Sequence, residues 1–185
     1  MNYFLKITSK PNLPLKFSLK NTINGSYLAI GKFINEKIDT PLIYEDSENS
    51  DLSKDDIIKY DVLETVGGGF LISEKLKELI ESYFSNEVQI FSTIITYKNT
   101  SLEKYFAINI FNKLKCYDLE RSEFTIHPVD HSYKFTKIIL DTSPLEEYGL
   151  VYNIIRSIYD NKIIVSDEFK NVMTSNNINS IKFIR

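Results

Sequence analysis

FLISEKLKELIES at residues 70–82 and IIVSDEFKNVMTS at residues 163–175 follow one order of residue types. From Leu71 to Ser82 and from Ile164 to Ser175, each runs apolar, apolar, Ser, acid, variable, apolar, Lys, variable, apolar, apolar, variable, Ser. A serine hydroxyl accepts from the otherwise unpartnered N–H groups of a first helical turn, and an acid beside it suits the helix dipole. Each stretch therefore predicts a short strand feeding a capped helix. In the first helix, Leu76, Leu79, Ile80, Tyr83 and Phe84 make one apolar stripe, with Glu74, Lys75, Lys77, Glu78 and Glu81 on the wet side.

The likeness reaches backwards. Tyr60–Val66 matches Tyr152–Ile158 in type at every position except the reversed charge at Glu64 and Arg156. VGGGF at 66–70 reads as a tight turn, because consecutive glycines supply backbone angles closed to other residues. Asp160-Asn161 marks the corresponding turn, one residue longer. The unit is strand, turn, strand, capped helix. Two origins stand open for it: duplication, or convergence on the capping rules.

Outside the unit, Tyr3, Leu5 and Ile7 alternate as in a strand that PNLP at 11–14 ends, and SYLAIGKFI at 26–34 reads as another. Residues 87–97 and 104–111 are rich in β-branched and aromatic types and flank the hairpin-type loop KNTSLE. KFTKIIL at 134–140 and the closing SIKFI are further strands, and Ser143-Pro144-Leu145-Glu146 opens a short helix. The expected fold class is α+β: one twisted, mostly antiparallel sheet with a few short helices packed against it. Residues 1–185 read as a single domain, with an exposed acidic loop at about 44–59.

A 43% hydrophobic and 25% charged composition is that of a globular chain rather than a disordered one. The net charge of −3 conceals an asymmetry: residues 1–35 carry five lysines and no acid, whereas residues 45–61 carry seven acids against two lysines. Such a balance argues against direct nucleic-acid binding and leaves two readings of the acidic stretch. It is a solvated connection, or it is a docking surface for a basic partner built from Glu45, Asp46, Glu48, Asp51, Asp55 and Asp56. One cysteine, Cys116, excludes an internal disulfide and fits a reducing compartment. No apolar run has the length of a membrane span or signal core, so the expected location is the cytoplasm.

Catalytic patterns are weak. Ser73 and Ser166 lack the flanking glycines of a nucleophile elbow and read as caps. VGGGF lacks the Gly-Lys-Ser/Thr of a phosphate loop. His127-Pro-Val-Asp-His131 holds both histidines but reads as a polar loop between strands, and no metal or cofactor is expected. A pocket joining Cys116, His127 and His131 remains the alternative reading, that of a small enzyme or ligand-binding domain.

CYDLERSEF at 116–124 carries a further motif, Asp118-Leu119-Glu120-Arg121-Ser122. It is preceded by the Ser-Glu-x-Leu-Lys helix from Ser73 and followed by the Val-Ser-acid helix from Val165 to Met173. In order and spacing over residues 60–185 this resembles a family of bacterial immunity proteins encoded beside polymorphic toxins. Asn177-Ile178-Asn179-Ser180 stands where that pattern usually has a glycine turn. The resemblance implies a non-enzymatic protein that binds and neutralises a cognate toxin domain inside the producing cell. Asp118, Glu120, Arg121 and Ser122 are then expected to be structural, with Asp118 and Ser122 bonding backbone in a turn.

Overall fold

The structure, a computed structural model, describes residues 3–8, 16–20, 23–38, 41–147 and 149–185. The turn expected at PNLP lies outside them.

The repeated unit forms as its residues dictate. Strand β4 (Val62–Thr65) pairs antiparallel with β5 (Phe70–Ser73), and α3 (Glu74–Phe84) comes next. Strand β12 (Ile154–Ser157) pairs with β13 (Ile163–Val165), and α5 (Asp167–Ser175) comes next. The registers coincide: Val62, Leu63 and Glu64 face Ile72, Leu71 and Phe70, as Ile154, Ile155 and Arg156 face Val165, Ile164 and Ile163. Gly67 and Gly68 turn the first hairpin at φ +90° and +96°. Ser73 Oγ accepts from Leu76 N and Ser166 Oγ from Phe169 N, so both serines are helix caps. Each hydroxyl also donates to the residue that opens its own unit, Ser73 to Asp61 at 2.8 Å and Ser166 to Asn153 at 2.6 Å.

The two units then lock each other. Glu87, just beyond α3, is 8% exposed; its carboxylate accepts from the backbone of Asn153 and Ile154 and from Asn153 Nδ2. Asn179, just beyond α5, donates its backbone N–H to Asp61 Oδ2 at 2.8 Å and accepts from Asp61 N at 3.1 Å. A residue just past each helix therefore satisfies the strand entry of the other unit.

The expected single twisted sheet is not what these strands build. Strands β2 (Lys16–Leu19), β3 (Leu42–Asp46), β6 (Val88–Tyr97) and β8 (Tyr105–Ile110) join β4 and β5 in a barrel of order β3-β2-β4-β5-β8-β6, which the parallel β3–β6 pairing closes. Closure depends on the length of β6. Its first half pairs with β8, while Thr93–Thr96 reaches β3. A second sheet has the order β14-β1-β13-β12-β9, with β1 (Tyr3–Ile7), β9 (Lys113–Leu114) and β14 (Ile181–Ile184). Strands β10 (Glu123–Ile126) and β11 (Tyr133–Lys137) form a separate hairpin.

Three apolar clusters arise from alternation along these strands. Phe17, Leu42, Tyr44, Leu63, Leu71, Ile95 and Tyr97 lie in the cluster on the barrel's inner side. Val62 and Ile72, with Leu76, Ile80 and Phe84 of α3, meet Ile154 and Val165, with Phe169 and Met173 of α5, in a cluster shared by both units, where Phe84 and Phe169 rings lie 5.1 Å apart. Tyr83, expected in the α3 stripe, is exposed instead. Ile155, Ile164, Cys116 and Tyr117 form the third, against which Phe135 of the β10–β11 hairpin packs. The sheet face that the barrel encloses in the first unit is covered in the second by this hairpin.

Other local expectations change. SYLAIGKFI is not a strand: Ser26–Ile30 is a helical turn, α1, that Gly31 ends at φ +70°. A Cβ on Gly31 would stand 2.3 Å from Ile110 O and 2.7 Å from Arg156 Cδ, so tertiary packing requires glycine there. KNTSLE turns on Lys98-Asn99 and resumes at once as β7 (Thr100–Leu102), paired with β6. The Ser143 helix, α4 (Ser143–Glu147), forms, with Leu145 and Glu146 amides reaching back to Thr142 O.

Candidate functional site

The acidic stretch, expected as an exposed loop, is bounded by short regular elements. It begins in β3, and Ser53 caps the helical turn α2 (Lys54–Ile57) by accepting from Asp56 N. Leu52 and Ile57 are buried anchors. Two buried tyrosines of the barrel hold the backbone between them. Tyr97 OH donates toward Ser50 O at 2.8 Å and Leu52 O at 2.6 Å; Tyr105 OH lies 2.9 Å from Ile57 O and 2.7 Å from Tyr60 O. The segment is thus tied across one region of the barrel by two buried phenols, and desolvation drives that of Tyr105 well above its ordinary range.

Within this frame the six candidate carboxylates divide. Glu45 pairs with Lys20 at 3.1 Å. Asp46 accepts from Glu48 N and Ser50 N and so shapes the turn after β3. Asp56 takes the Ser53 hydroxyl at 2.8 Å and Lys59 Nζ at 2.9 Å. Glu48, Asp51 and Asp55 are exposed, and among the described residues their side chains make no hydrogen bond or ion pair. Three of the six serve local structure, then, and three present charge to solvent. The seventh acid, Asp61, is 7% exposed and belongs to the lock with Asn179. Sequence reasoning missed the local partners of Asp46 and Asp56, a turn and a Ser53-x-x-Asp56 cap, and had no means of finding those of Glu45 and Asp61, because Lys20 and Asn179 lie far away in sequence.

The Asp118–Ser122 stretch, on which the resemblance partly rested, lies elsewhere, at the foot of the β10–β11 hairpin. Asp118 Oδ1 accepts from Arg121 N at 3.0 Å, and the Arg121 guanidinium stands 3.7 Å from Asp118 Oδ2. Ser122, 8% exposed, accepts from Ile139 N at 2.9 Å through its hydroxyl. Glu120 is exposed. The Ser122 bond clamps the strand leaving the hairpin to the strand entering it, while the Asp118 contacts close a local turn.

The arrangement that the pocket reading needs is not present. Cys116 is 4% exposed among Tyr117, Ile155 and Ile164, and burial pushes its thiol up to about 12. His127 and His131 sit in the exposed tip of the β10–β11 hairpin, where His127 lies 3.0 Å from Asp130. No three His, Cys, Asp or Glu residues among those described gather as metal ligands. A cleft of about 380 Å³ does open, but along residues 23–38, with Tyr27, Lys32, Phe33 and Glu36 on its walls. No described helix is long and apolar enough to cross a membrane.

Sequence reasoning missed Arg156. It is 3% exposed and pairs with no carboxylate among the described residues. Its Nε donates to Ile110 O, Nη1 to Asn161 O and Nη2 to Leu28 O, at 3.0, 3.0 and 3.1 Å. One cation thus joins α1, the end of β8 and the β12–β13 turn. The Glu64/Arg156 charge reversal between the units was the only trace of it in the sequence.

No curated protein matches this sequence. A family model described as "Immunity protein family (Imm11)" matches residues 31–185, from the glycine that packs against Arg156 through the last strand. That match takes in β3–β14, both repeated units and the Asp118–Ser122 clamp, and begins upstream of the residues on which the motif likeness rested. The chain belongs to the Imm11 immunity protein family.

Proposed function

We propose that this protein is the cytoplasmic inhibitor of a cognate toxin domain from a polymorphic toxin system, acting by binding rather than by catalysis. The observation that carries the docking site is the free charge of Glu48, Asp51 and Asp55 on a segment held by Tyr97 and Tyr105. Preorganised charge speeds encounter with a complementary surface and loses little ordering entropy on binding. A basic cleft, such as a nuclease uses for phosphates, is the partner surface that these carboxylates suit. The protein itself carries no basic tract for nucleic acid at this segment. We further propose that residues 1–185 act as one folding unit, since one apolar cluster and two reciprocal hydrogen-bonded locks join the repeated units.

The test is co-expression with the toxin domain encoded beside this gene. Growth rescue and a stable one-to-one complex are expected. Rescue without a complex would refute inhibition by binding. Full rescue and unchanged affinity in a Glu48→Ser, Asp51→Ser, Asp55→Ser variant would move the interface elsewhere.

A further inference from the structure

The equivalence of the two units extends past the hairpin and helix. In the barrel, the strands β2, β4, β5, β8 and β6 meet in parallel, antiparallel, antiparallel and antiparallel seams. In the second sheet, β9, β12, β13, β1 and β14 meet in the same four kinds of seam, in the same order. The registers agree residue by residue. Leu71 and Phe91 both face Ala107; ninety-three positions on, Ile164 and Ile184 both face Phe4. Ile72 faces Phe106, as Val165 faces Tyr3. Turn bonds repeat too: Val66 N reaches Phe17 O as Ile158 N reaches Leu114 O.

β1 therefore occupies the place of β8. Yet β8 follows β6 in the chain through the short hairpin made with β7, whereas β1 lies at the opposite end of the chain from β14. It also lies outside the family-matched residues 31–185. Its side chains serve both faces: Tyr3 lies in the cluster shared by the units and Phe4 packs on the third. At one end Lys170 and Arg185 converge on Tyr3, whose hydroxyl they approach at 3.3 and 2.9 Å.

We infer that the protein consists of two copies of one five-strand unit, and that the slot between β13 and β14 is a strand-binding site which accepts residues 3–7 irrespective of how they are attached to the chain. The recognition chemistry is a backbone ladder on both edges with an aromatic pair at its head, one ring to each face. Arg185 already touches Tyr3, so a direct β14-to-β1 hairpin would restore in the second unit the connectivity that β6 and β8 have in the first.

Two variants of the 185-residue chain test this. The first is a circular permutant that joins Arg185 to Met1 through a short Gly/Ser turn and opens the chain between Asn12 and Leu13. The second keeps the native order and inserts ten Gly/Ser residues at the same point. Because closure entropy grows only slowly with loop length, both should melt within about 5 °C of the parent. Both should retain slow amide exchange over Ile163–Val165 and Ile181–Ile184. If the covalent path from β1 to β2 places β1 instead, protection in β13 and β14 is lost. That loss in either variant overturns the inference.

Discussion

Replacing Glu87 with Ala isolates the contact by which one unit closes the other. The carboxylate is buried and accepts three N–H donors: the backbone of Asn153, the backbone of Ile154 and Asn153 Nδ2. A hydrogen bond to a charged group contributes about 1.5–3 kcal/mol, and the buried amide of Ile154 would be left without a partner. Removing the carboxylate also relieves its own desolvation, so the three bonds do not simply add. The expected net loss is about 3–4 kcal/mol, against a total stability on the order of 5–15 kcal/mol. With a urea slope of about 2 kcal/mol/M, the midpoint should fall by about 1.5–2 M. Glu87→Gln keeps one acceptor oxygen and should lose about 1–2 kcal/mol. Equilibrium urea unfolding, tracked by tyrosine fluorescence and circular dichroism together, measures both. A cycle with Asn153→Ala should give a coupling above about 1 kcal/mol. A midpoint shift under about 0.3 M for Glu87→Ala, or an additive cycle, would refute the reciprocal lock.

Gly31→Ala combines a left-handed backbone with a Cβ placed 2.3 Å from Ile110 O, and should cost about 3 kcal/mol; an unchanged melting temperature would mean that α1 does not seat as described. Arg156→Met leaves the carbonyls of Leu28, Ile110 and Asn161 without their donor and should cost about 2–4 kcal/mol in thermal melting, although it removes a buried charge. Cys116 should resist thiol reagents at pH 8 in the folded protein and react fully in urea; rapid reaction of the native protein would place it nearer solvent. Burial raises Cys116 from 9.0 to about 12 and also raises Tyr44, Tyr105 and Tyr117. The folded state then holds protons that the unfolded state releases. These groups should leave stability unchanged from neutral pH to about pH 9 and lower it from there towards pH 12, and alkaline titration of the urea midpoint gives the sign directly.

The parts of this fold written locally were legible. Both helices, their serine caps and the hairpins before them come from period, capping and turn chemistry within short windows, and they lie where the sequence places them. Barrel closure was not legible, because it rests on β3 meeting β6 across about fifty residues and no local pattern encodes that seam. SYLAIGKFI misled for a related reason. Its apolar residues suit a strand, but Leu28 O and Gly31 are claimed by Arg156 from the other unit. The acidic segment was visible as charge alone. The Ser53 cap and Lys59 pair of Asp56 lie within the segment and were overlooked, whereas the Lys20 partner of Glu45 and the tyrosine hydroxyls that hold the backbone come from distant strands.

The most direct test of the functional account is the affinity of the purified complex with its toxin domain, measured at low and at high salt, for the parent and for the variant lacking Glu48, Asp51 and Asp55. These exposed, unpaired side chains contribute little to folding, so the variant should unfold within about 0.5 kcal/mol of the parent. The account predicts at least a tenfold loss of affinity at low salt, about 1.4 kcal/mol, and a flatter salt dependence. Equal affinity and equal salt dependence for the two proteins would contradict it.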